Sequence, residues 1–366
     1  MKRMKLSYKN SMLLCLILLC QSALASEKTY SHTKSKRIYK AFSYSDGMSI
    51  DISNKYGQVI FSEGSTDSVR FEIEIISEGD KLSVVMENLD GVNINFSNNL
   101  HYINARTSLS GKEGVVKKTA MDIRQSINGA HRYQINYKVS LPANCDLLVN
   151  NSFGDVYLSD ITGSVRLDVS HGNILGGTLI MIKHIKIKYG NLKLKSFEKG
   201  QLTSSYGNVE IQSCNELYLT TMMSDVDIDK VNEITLITKG KYIRIGEAGN
   251  ITGTSTMSEL RIEKLTNKIN LSSKFGEIRI KEFGENFSQV SLLGSTTNYS
   301  FGNTNSIDSN FEIMLIGGKK FYYQNNVSIE SQDNIEKTVL YKGKLGAGGE
   351  NKITIQTKNG AVHFDL

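Results

Sequence analysis

A short motif recurs along this chain at nearly constant spacing: an aromatic ring, a glycine, an Asp or Asn, and then alternating aliphatic residues. It reads NNSFGDVYL at 150–158 and SSYGNVEI at 204–211. We call the glycine position of each copy its corner. Eight corners follow one another at intervals of 17 or 18 residues: Gly154, Gly172, Gly190, Gly207, Ser224, Lys241, Ser258 and Gly276. A fixed short period over eight units predicts a stacked repeat architecture.

Aliphatic residues keep their place relative to each corner. Two residues after the corner stand Val156, Ile174, Leu192, Val209, Val226, Ile243, Leu260 and Ile278. Aliphatics also stand four residues after and five residues before most corners. A spacing of two marks one face of a strand. Each unit therefore predicts two strands joined at the corner, with their aliphatic side chains directed inward.

The corner itself predicts a sharp bend. Glycine adopts positive φ without steric cost, so we expect the corner glycines to hold the turn. The structural corners so predicted are Gly57, Gly154, Gly172, Gly190, Gly207, Gly276 and Gly360. The Asn and Asp residues after them can bond along the stack, and the rings before them can stack on successive coils. If these rings are exposed, they could bind carbohydrate.

The fold class predicted from this pattern is all-β, a right-handed parallel β-solenoid with coils of about 17–18 residues. We expect residues 147–285 to form its regular centre, and residues 37–146 an N-terminal β-rich part with an irregular loop at 109–131. Weaker copies around Gly57 and Gly360 extend the pattern towards both ends. Residues 286–366 are expected to form irregular coils and capping strands, and Glu78–Leu89 a short helix.

The first 25 residues predict an export signal. Four basic residues precede the apolar run Met12–Leu19, and Ala23-Leu24-Ala25 forms a small-x-small site before Ser26. This order is typical of a secretory signal peptide cleaved between Ala25 and Ser26, with a flexible N-terminus at 26–36. A lipoprotein signal at Cys20 is the alternative, although Leu19 precedes it where a small residue is usual.

Removing this segment leaves 39 Lys and Arg against 37 Asp and Glu. So small a net charge does not indicate a nucleic-acid partner. The remaining chain has no second apolar stretch long enough for a transmembrane helix.

The stretch YQINYKVSLPANCDLLVNNSFGDVYL at 133–158 resembles a bacterial family of exported β-strand-repeat proteins. The resemblance lies in an alternating strand at Tyr137–Leu141, then Pro142, a second strand at Leu147–Val149, and the corner at Phe153–Val156. Proteins of this family are described as adhesins on the basis of shape, or as a domain of unknown function. The resemblance implies an envelope location and brings no catalytic residues.

Two acidic sets are candidate sites. Three residues after the corners stand Tyr157, Leu175, Lys193, Glu210, Asp227, Arg244, Arg261 and Arg279, here called the charged column. Within it, Glu210, Asp227 and Arg244 could form a saccharide site or an ordinary ladder of ion pairs, and we favour the ladder. Asp225, Asp227 and Asp229 could bind calcium, but three acids without a defined loop are a weak signal. The six histidines have no metal-ligand spacing.

Cys145 and Cys214 are the cysteines outside the signal segment. The repeat places them about four coils apart, which is roughly 19 Å. A disulfide needs Cα atoms within roughly 7 Å. We therefore predict two free thiols.

The function predicted from these observations is that of an exported, non-enzymatic cell-envelope scaffold or adhesion module in the periplasm or on the surface of a bacterium. We expect no catalytic, cofactor or metal residues, and an envelope protein or polysaccharide as partner. The alternative is a polysaccharide-binding or polysaccharide-cleaving β-helix enzyme. A focused acidic cleft would favour the enzyme.

Overall fold

A computed structural model describes residues 29–109, 131–324 and 326–364. The protein is nearly all β, with 75% strand and 4% helix, and its strands form one large sheet of parallel and antiparallel pairs. One helix, α1, spans Leu82–Gly91, and Thr304–Ser306 forms a 3₁₀ turn. The strands are β1 His32–Ser43, β2 Ser49–Lys55, β3 Val59–Glu63, β4 Ser68–Gly79, β5 Val92–Asn98, β6 Tyr102–Leu109, β7 His131–Leu141, β8 Asp146–Ser152, β9 Val156–Leu158, β10 Ile161–Ser170, β11 Ile174–Lys188, β12 Leu192–Ser205, β13 Asn208–Met222, β14 Asp225–Phe283, β15 Gln289–Phe301, β16 Ser309–Ile316, β17 Phe321–Tyr322, β18 Val327–Ile335, β19 Thr338–Leu345, β20 Lys352–Lys358 and β21 Val362–Phe364.

The chain divides into two compact units. Of the described residues, 29–35, Ile76–Gly91 and 131–133 belong to the smaller one. It contains α1, which overlaps the helix expected at Glu78–Leu89 and buries Val85 and Leu89. The larger unit comprises Lys36–Ile75, Val92–Ser110 and Gln134–Leu366. All the corners belong to this larger unit.

Successive repeats of the larger unit pair in parallel, one repeat length apart. Strand β13 lies between β12 and β14, so that Val209 is flanked by Leu192 and Val226. Pairing at an offset of 17 or 18 residues links β8 through β10, β11, β12 and β13 to β14. The backbone therefore repeats at the period read from the sequence.

The inward columns are confirmed. All eight aliphatics two residues after the corners are at most 2% exposed, and those four residues after the corner at most 7%. Because each coil adds the same aliphatics directly above those of the coil before, burial continues along the stack. Fully burying one such side chain contributes about 1.5–3 kcal/mol.

Chain order and stacking order differ at both ends. The copy at β2–β3 pairs directly with β8 and β9, and on its other side with β6 and β7. The final copy, β20, lies between β15 and β16, so that Ile353 is flanked by Val290 and Phe311. Strand β20 is therefore inserted between two strands that precede it in the chain. It forms a regular coil within residues 286–366, for which we expected irregular coils and capping strands.

Antiparallel pairs depart from the purely parallel arrangement that we predicted. Strand β5 pairs antiparallel with β6, and β19 pairs antiparallel with both β16 and β18. The connection between β18 and β19 is a two-residue turn that begins at Glu336, with φ 52. Such a short connection permits only an antiparallel pair.

The corner conformation differs from our expectation. Positive φ falls not on the glycine but on the residue before it, as at Phe153 (φ 60), Tyr189 (φ 56) and Tyr206 (φ 59). The glycine is required for space. A Cβ on Gly190 would lie 1.9 Å from the carbonyl oxygen of Gly172. The same holds for Gly154, Gly172 and Gly207, each of which lies directly against the backbone of the preceding corner glycine.

Candidate functional site

The residues that precede the corners form a stripe on the outside of the larger unit. We call it the corner stripe, and its members are Tyr56, Phe153, His171, Tyr189, Tyr206, Met223, Met257 and Phe275. Neighbouring rings stack: the centroids of Phe153 and His171 are 4.7 Å apart, and those of Tyr189 and Tyr206 are 5.1 Å apart. The predicted stacking of these rings is confirmed.

The corner stripe is both exposed and conformationally costly. Six of its side chains are 38–53% exposed. All eight members have φ between 51 and 65, a left-handed conformation that costs roughly 1–2 kcal/mol for a residue with a Cβ. Gly240 occupies the same column with φ 77, so the fold accepts glycine there. The corner stripe therefore has large side chains at positions where glycine would adopt the same φ at a lower conformational cost.

Lysines lie beside several of these rings. The Lys55 ammonium is 4.5 Å from the ring centroid of Tyr56, and that of Lys274 is 5.2 Å from Phe275. At exposed sites such cation–π contacts contribute about 0.5–1 kcal/mol. The corner stripe thus presents apolar ring faces with positive charge next to them.

An Asn/Asp ladder runs alongside the corner stripe. Asp155 Oδ1 accepts a hydrogen bond from the backbone N–H of Asn173 at 2.7 Å. The side-chain oxygens of Asn173 and Asn191 accept from the backbone N–H of Asn191 and Asn208, each at 3.0 Å. The bonding predicted along the stack mainly joins a side-chain oxygen to the backbone N–H of the next coil. It holds successive corners in register.

The charged column forms ion pairs between neighbouring coils at two places, while Arg261 and Arg279 pair with Glu263 and Glu277 on their own strand. Lys193 pairs with Glu210 at 2.7 Å, and Arg244 with Asp227 at 2.5 Å. The hydrogen bond from Lys193 to Glu210 raises the pKa of Lys193, and the bond to Asp227 raises that of Arg244. Glu210 and Asp227 are neighbours in the register, as predicted, and both side chains are 54% exposed.

The aspartates proposed for calcium are already paired with cations. Asp225 contacts Lys241 at 3.2 Å, and Arg244 contacts both Asp227 and Asp229. Within the described residues, no group of three His, Cys, Asp or Glu side chains is arranged to hold a metal ion. The acidic pattern is thus accounted for by ion pairs with the next coil.

A groove crosses several coils on another outer face of the larger unit. We call it the outer groove; its volume is about 560 Å³, and its lining includes Met181, Lys199, Gln201, Tyr218, Glu233 and Thr252. No pattern in the sequence predicted it. Its residues lie 9 to 11 positions after the corners, where residue types vary from coil to coil. Only the recurrence of buried Ile182, Leu217 and Ile234 between outward side chains could have revealed it.

Both cysteines are free and buried, which confirms the prediction for the pair. Burial raises the pKa of each thiol to about 12. A thiol reacts as its thiolate, so neither is suited to nucleophilic chemistry near neutral pH.

Several sequence predictions fall outside the described residues. These are the signal segment 1–25, its cleavage site at Ala25 and Ser26, and all but the end residues of the loop 109–131. Strand β1 begins at His32, inside the segment 26–36 for which we predicted a flexible N-terminus.

No known protein family matches the chain, and no curated protein matches its sequence. Three solved structures are similar to it at low identity. A "putative cell adhesion protein" from Clostridium sporogenes is 13% identical, with 91% of this chain and 99% of that chain covered and a TM-score of 0.19. A "putative adhesin" from Parabacteroides merdae is 13% identical, with coverage of 73% and 96% and a TM-score of 0.34. A "putative lipid binding protein" from Parabacteroides distasonis is 11% identical, with coverage of 74% and 97% and a TM-score of 0.38. Among the described residues, no helix is both long and apolar enough to cross a membrane.

Proposed function

We propose that this chain is an exported, non-enzymatic interaction module that serves as a cell-envelope scaffold or adhesion module. In this proposal residues 1–25 are a signal peptide cleaved between Ala25 and Ser26, and residues 147–285 are the regular centre of a right-handed parallel β-solenoid of the exported β-strand-repeat family. Its partner is an envelope protein or polysaccharide, met in the periplasm or on the cell surface.

The corner stripe carries this proposal. Side chains that are costly in conformation and exposed to water are retained where Gly240 shows that a smaller residue fits. An exposed patch of rings and thioethers of this kind is typical of an interaction surface. Repetition along the stack suits a long, shallow contact with an extended partner.

A polysaccharide-cleaving enzyme is the second candidate. A small cavity of about 140 Å³ beside Glu210, Asp227 and Asp229 favours it. However, Glu210 and Asp227 are each paired with a cation and more than half exposed. A carboxyl group acting as a general acid needs a dehydrated environment, so we favour binding over cleavage.

The test is co-sedimentation of the purified chain with insoluble cell-envelope material, separated into protein and polysaccharide fractions. We expect binding to one fraction and about a fivefold loss of affinity in the double variant Tyr189→Asn/Tyr206→Asn. Asparagine tolerates positive φ, so the corner is kept while the rings are removed. The control is Leu175→Asn, an exposed aliphatic of the charged column.

Equal binding by the double variant and the wild type would refute the role of the corner stripe. Release of soluble fragments from the polysaccharide would instead establish the enzyme. That activity should then disappear in the variant Glu210→Gln/Asp227→Asn.

A further inference from the structure

The outer groove has a closed floor. It is formed by β11, β12, β13 and β14, each of which has a strand paired on both sides. Backbone N–H and C=O groups of the floor are therefore committed to the ladders between coils. An extended peptide gains much of its affinity by pairing with a free strand edge, and no such edge lies in this floor. Recognition here must come from side chains.

The walls of the outer groove offer neutral hydrogen-bonding groups and one ring. Gln201, Tyr218 and Thr235 follow one another on successive coils, because Gln201 pairs with Tyr218 and Tyr218 with Thr235. The hydroxyls of Thr235 and Thr252 continue this wall and lie 3.2 Å apart. Tyr218 is 40% exposed. Its ring is therefore accessible to a flat partner.

The charges of the outer groove nearly balance, since Lys183, Lys199 and Lys268 line it together with Glu216 and Glu233, and Asp146 pairs with Lys183 from outside it. Lys199 pairs with Glu216 at 2.5 Å, and Lys183 pairs with Asp146 at 3.4 Å. Glu233 accepts a hydrogen bond from the Asn250 amide at 3.3 Å. A polyanion would need cations that are not already committed to carboxylates. The balance of charge fits a neutral ligand.

The floor next to the ring is packed and apolar. Gly200 takes the register position held by Ile182 in the coil before and Leu217 in the coil after. A Cβ there would lie 2.9 Å from the Phe197 ring, which fills the space of the missing side chain. The floor one coil away from Tyr218 is therefore closed.

We propose that the outer groove binds a neutral polysaccharide chain that lies along the stack, with Tyr218 as the platform for one sugar ring. Amide, hydroxyl and carboxylate side chains recur about every 4.8 Å along the stack, a spacing comparable with the length of one sugar unit. The volume of the outer groove is within the range of ligand pockets. The proposal deepens the interaction function and rests on it, since it assumes binding without cleavage.

The chain contains no tryptophan, so a single introduced one is a specific reporter. We would titrate the full chain carrying Tyr218→Trp with a neutral glucan, a neutral mannan and a neutral galactan, and with a polyuronate as the charged comparison. We expect saturable changes in emission with at least one neutral polymer, insensitive to added salt. The matched control is Tyr102→Trp on β6, a tyrosine of similar exposure at 38% that belongs to neither the outer groove nor the corner stripe; its emission should stay constant.

Affinity electrophoresis of the chain without an introduced tryptophan provides a second measurement of binding. Retardation by the responding polymer should weaken about tenfold in Tyr218→Ala and about threefold in Gln201→Ala, and should be unchanged in Tyr102→Asn. The proposal is overturned if no neutral polymer alters the emission of Tyr218→Trp, or if only the polyuronate does so and salt abolishes the effect. Polymer shortened during the titration would instead overturn the non-enzymatic function, so the two failures are distinguishable.

Discussion

The corners from Gly154 to Gly207 and those at Ser224 and Ser258 make the same bend with different contacts. In the glycine corners, the backbone of each coil lies directly against the preceding carbonyl group, as for Gly207 on Gly190. In the serine corners a Cβ is present, and the hydroxyl joins a buried polar column. Ser224 Oγ bonds Ser204 Oγ at 3.0 Å, and Ser258 Oγ lies 3.1 Å from Thr238 Oγ1.

The outer surface changes together with the corner. Every ring of the corner stripe is followed by glycine, whereas Met223 and Met257 are followed by serine. Close glycine corners place successive rings at stacking distance, as in the 4.9 Å between His171 and Tyr189. Glycine corners therefore combine close backbone contact on the inside with ring stacking on the outside. Serine corners combine buried hydroxyls on the inside with flexible methionine thioethers on the outside.

The largest effect should come from the aliphatic column that both arrangements share. Val209→Asp, in a glycine coil, and Val226→Asp, in a serine coil, each bury a carboxylate without a partner. We expect both to lower the free energy of unfolding by about 4 kcal/mol or more. Urea denaturation followed by circular dichroism measures this.

The control for this pair is Glu210→Gln, one residue along the strand, which should cost at most about 1 kcal/mol. A large loss in only one of the two coils would contradict a common core beneath the two kinds of corner.

The next effect separates the two arrangements. Gly190→Ala places a Cβ 1.9 Å from a backbone oxygen that cannot move without its whole coil. We expect a loss of about 3 kcal/mol. Lys241→Ala, at the same position in the serine region, keeps an existing Cβ and removes only the exposed ion pair with Asp225. It should cost less than about 1 kcal/mol, and similar urea midpoints for the two variants would refute the close-approach explanation.

A smaller effect tests the buried hydroxyl column. Ser258→Ala leaves the Thr238 hydroxyl without this partner, and we expect a loss of about 1–2 kcal/mol. Thr235→Ala removes an exposed hydroxyl contact instead, and should change stability by less than about 0.5 kcal/mol. If both variants melt at the temperature of the wild type, the column does not stabilise the serine corners.

The smallest effect concerns the corner stripe. Tyr189→Asn removes ring contacts to His171 and Tyr206, but asparagine tolerates the left-handed conformation better than tyrosine does. The lost ring contacts and the relieved backbone strain nearly offset each other. We therefore expect the free energy of unfolding to fall by about 1 kcal/mol or less. Met257→Asn removes no ring contact and should be close to neutral. A greater loss at Met257 than at Tyr189 in thermal unfolding would contradict stabilisation by stacking.

Much of the fold could be predicted because the repeat carries redundant information. Each of eight coils has an aliphatic residue at the position equivalent to Val209, and all eight of these residues are buried. The ion pairs of Glu210 and Asp227 also followed from the period, since residues one repeat apart lie side by side. The outer groove did not follow. Its lining depends on which outward side chains of neighbouring coils come together, and these form no pattern along one strand.

The sequence by itself determined the period, the inward and outward faces, and the columns of rings and glycines, because these depend on alternation within a strand and on an interval between strands. Only the tertiary structure decided which coils are neighbours. The copy around Gly57 lies against the coil of Gly154, and Ile353 lies between Val290 and Phe311. All coils present nearly the same aliphatic edge to a partner, so pairing preferences alone leave several arrangements equivalent. The tertiary structure also decided that positive φ falls on the residue before the corner, at Tyr189 and at Met223 alike, and that a glycine corner such as Gly190 has no room for a Cβ beside the preceding carbonyl.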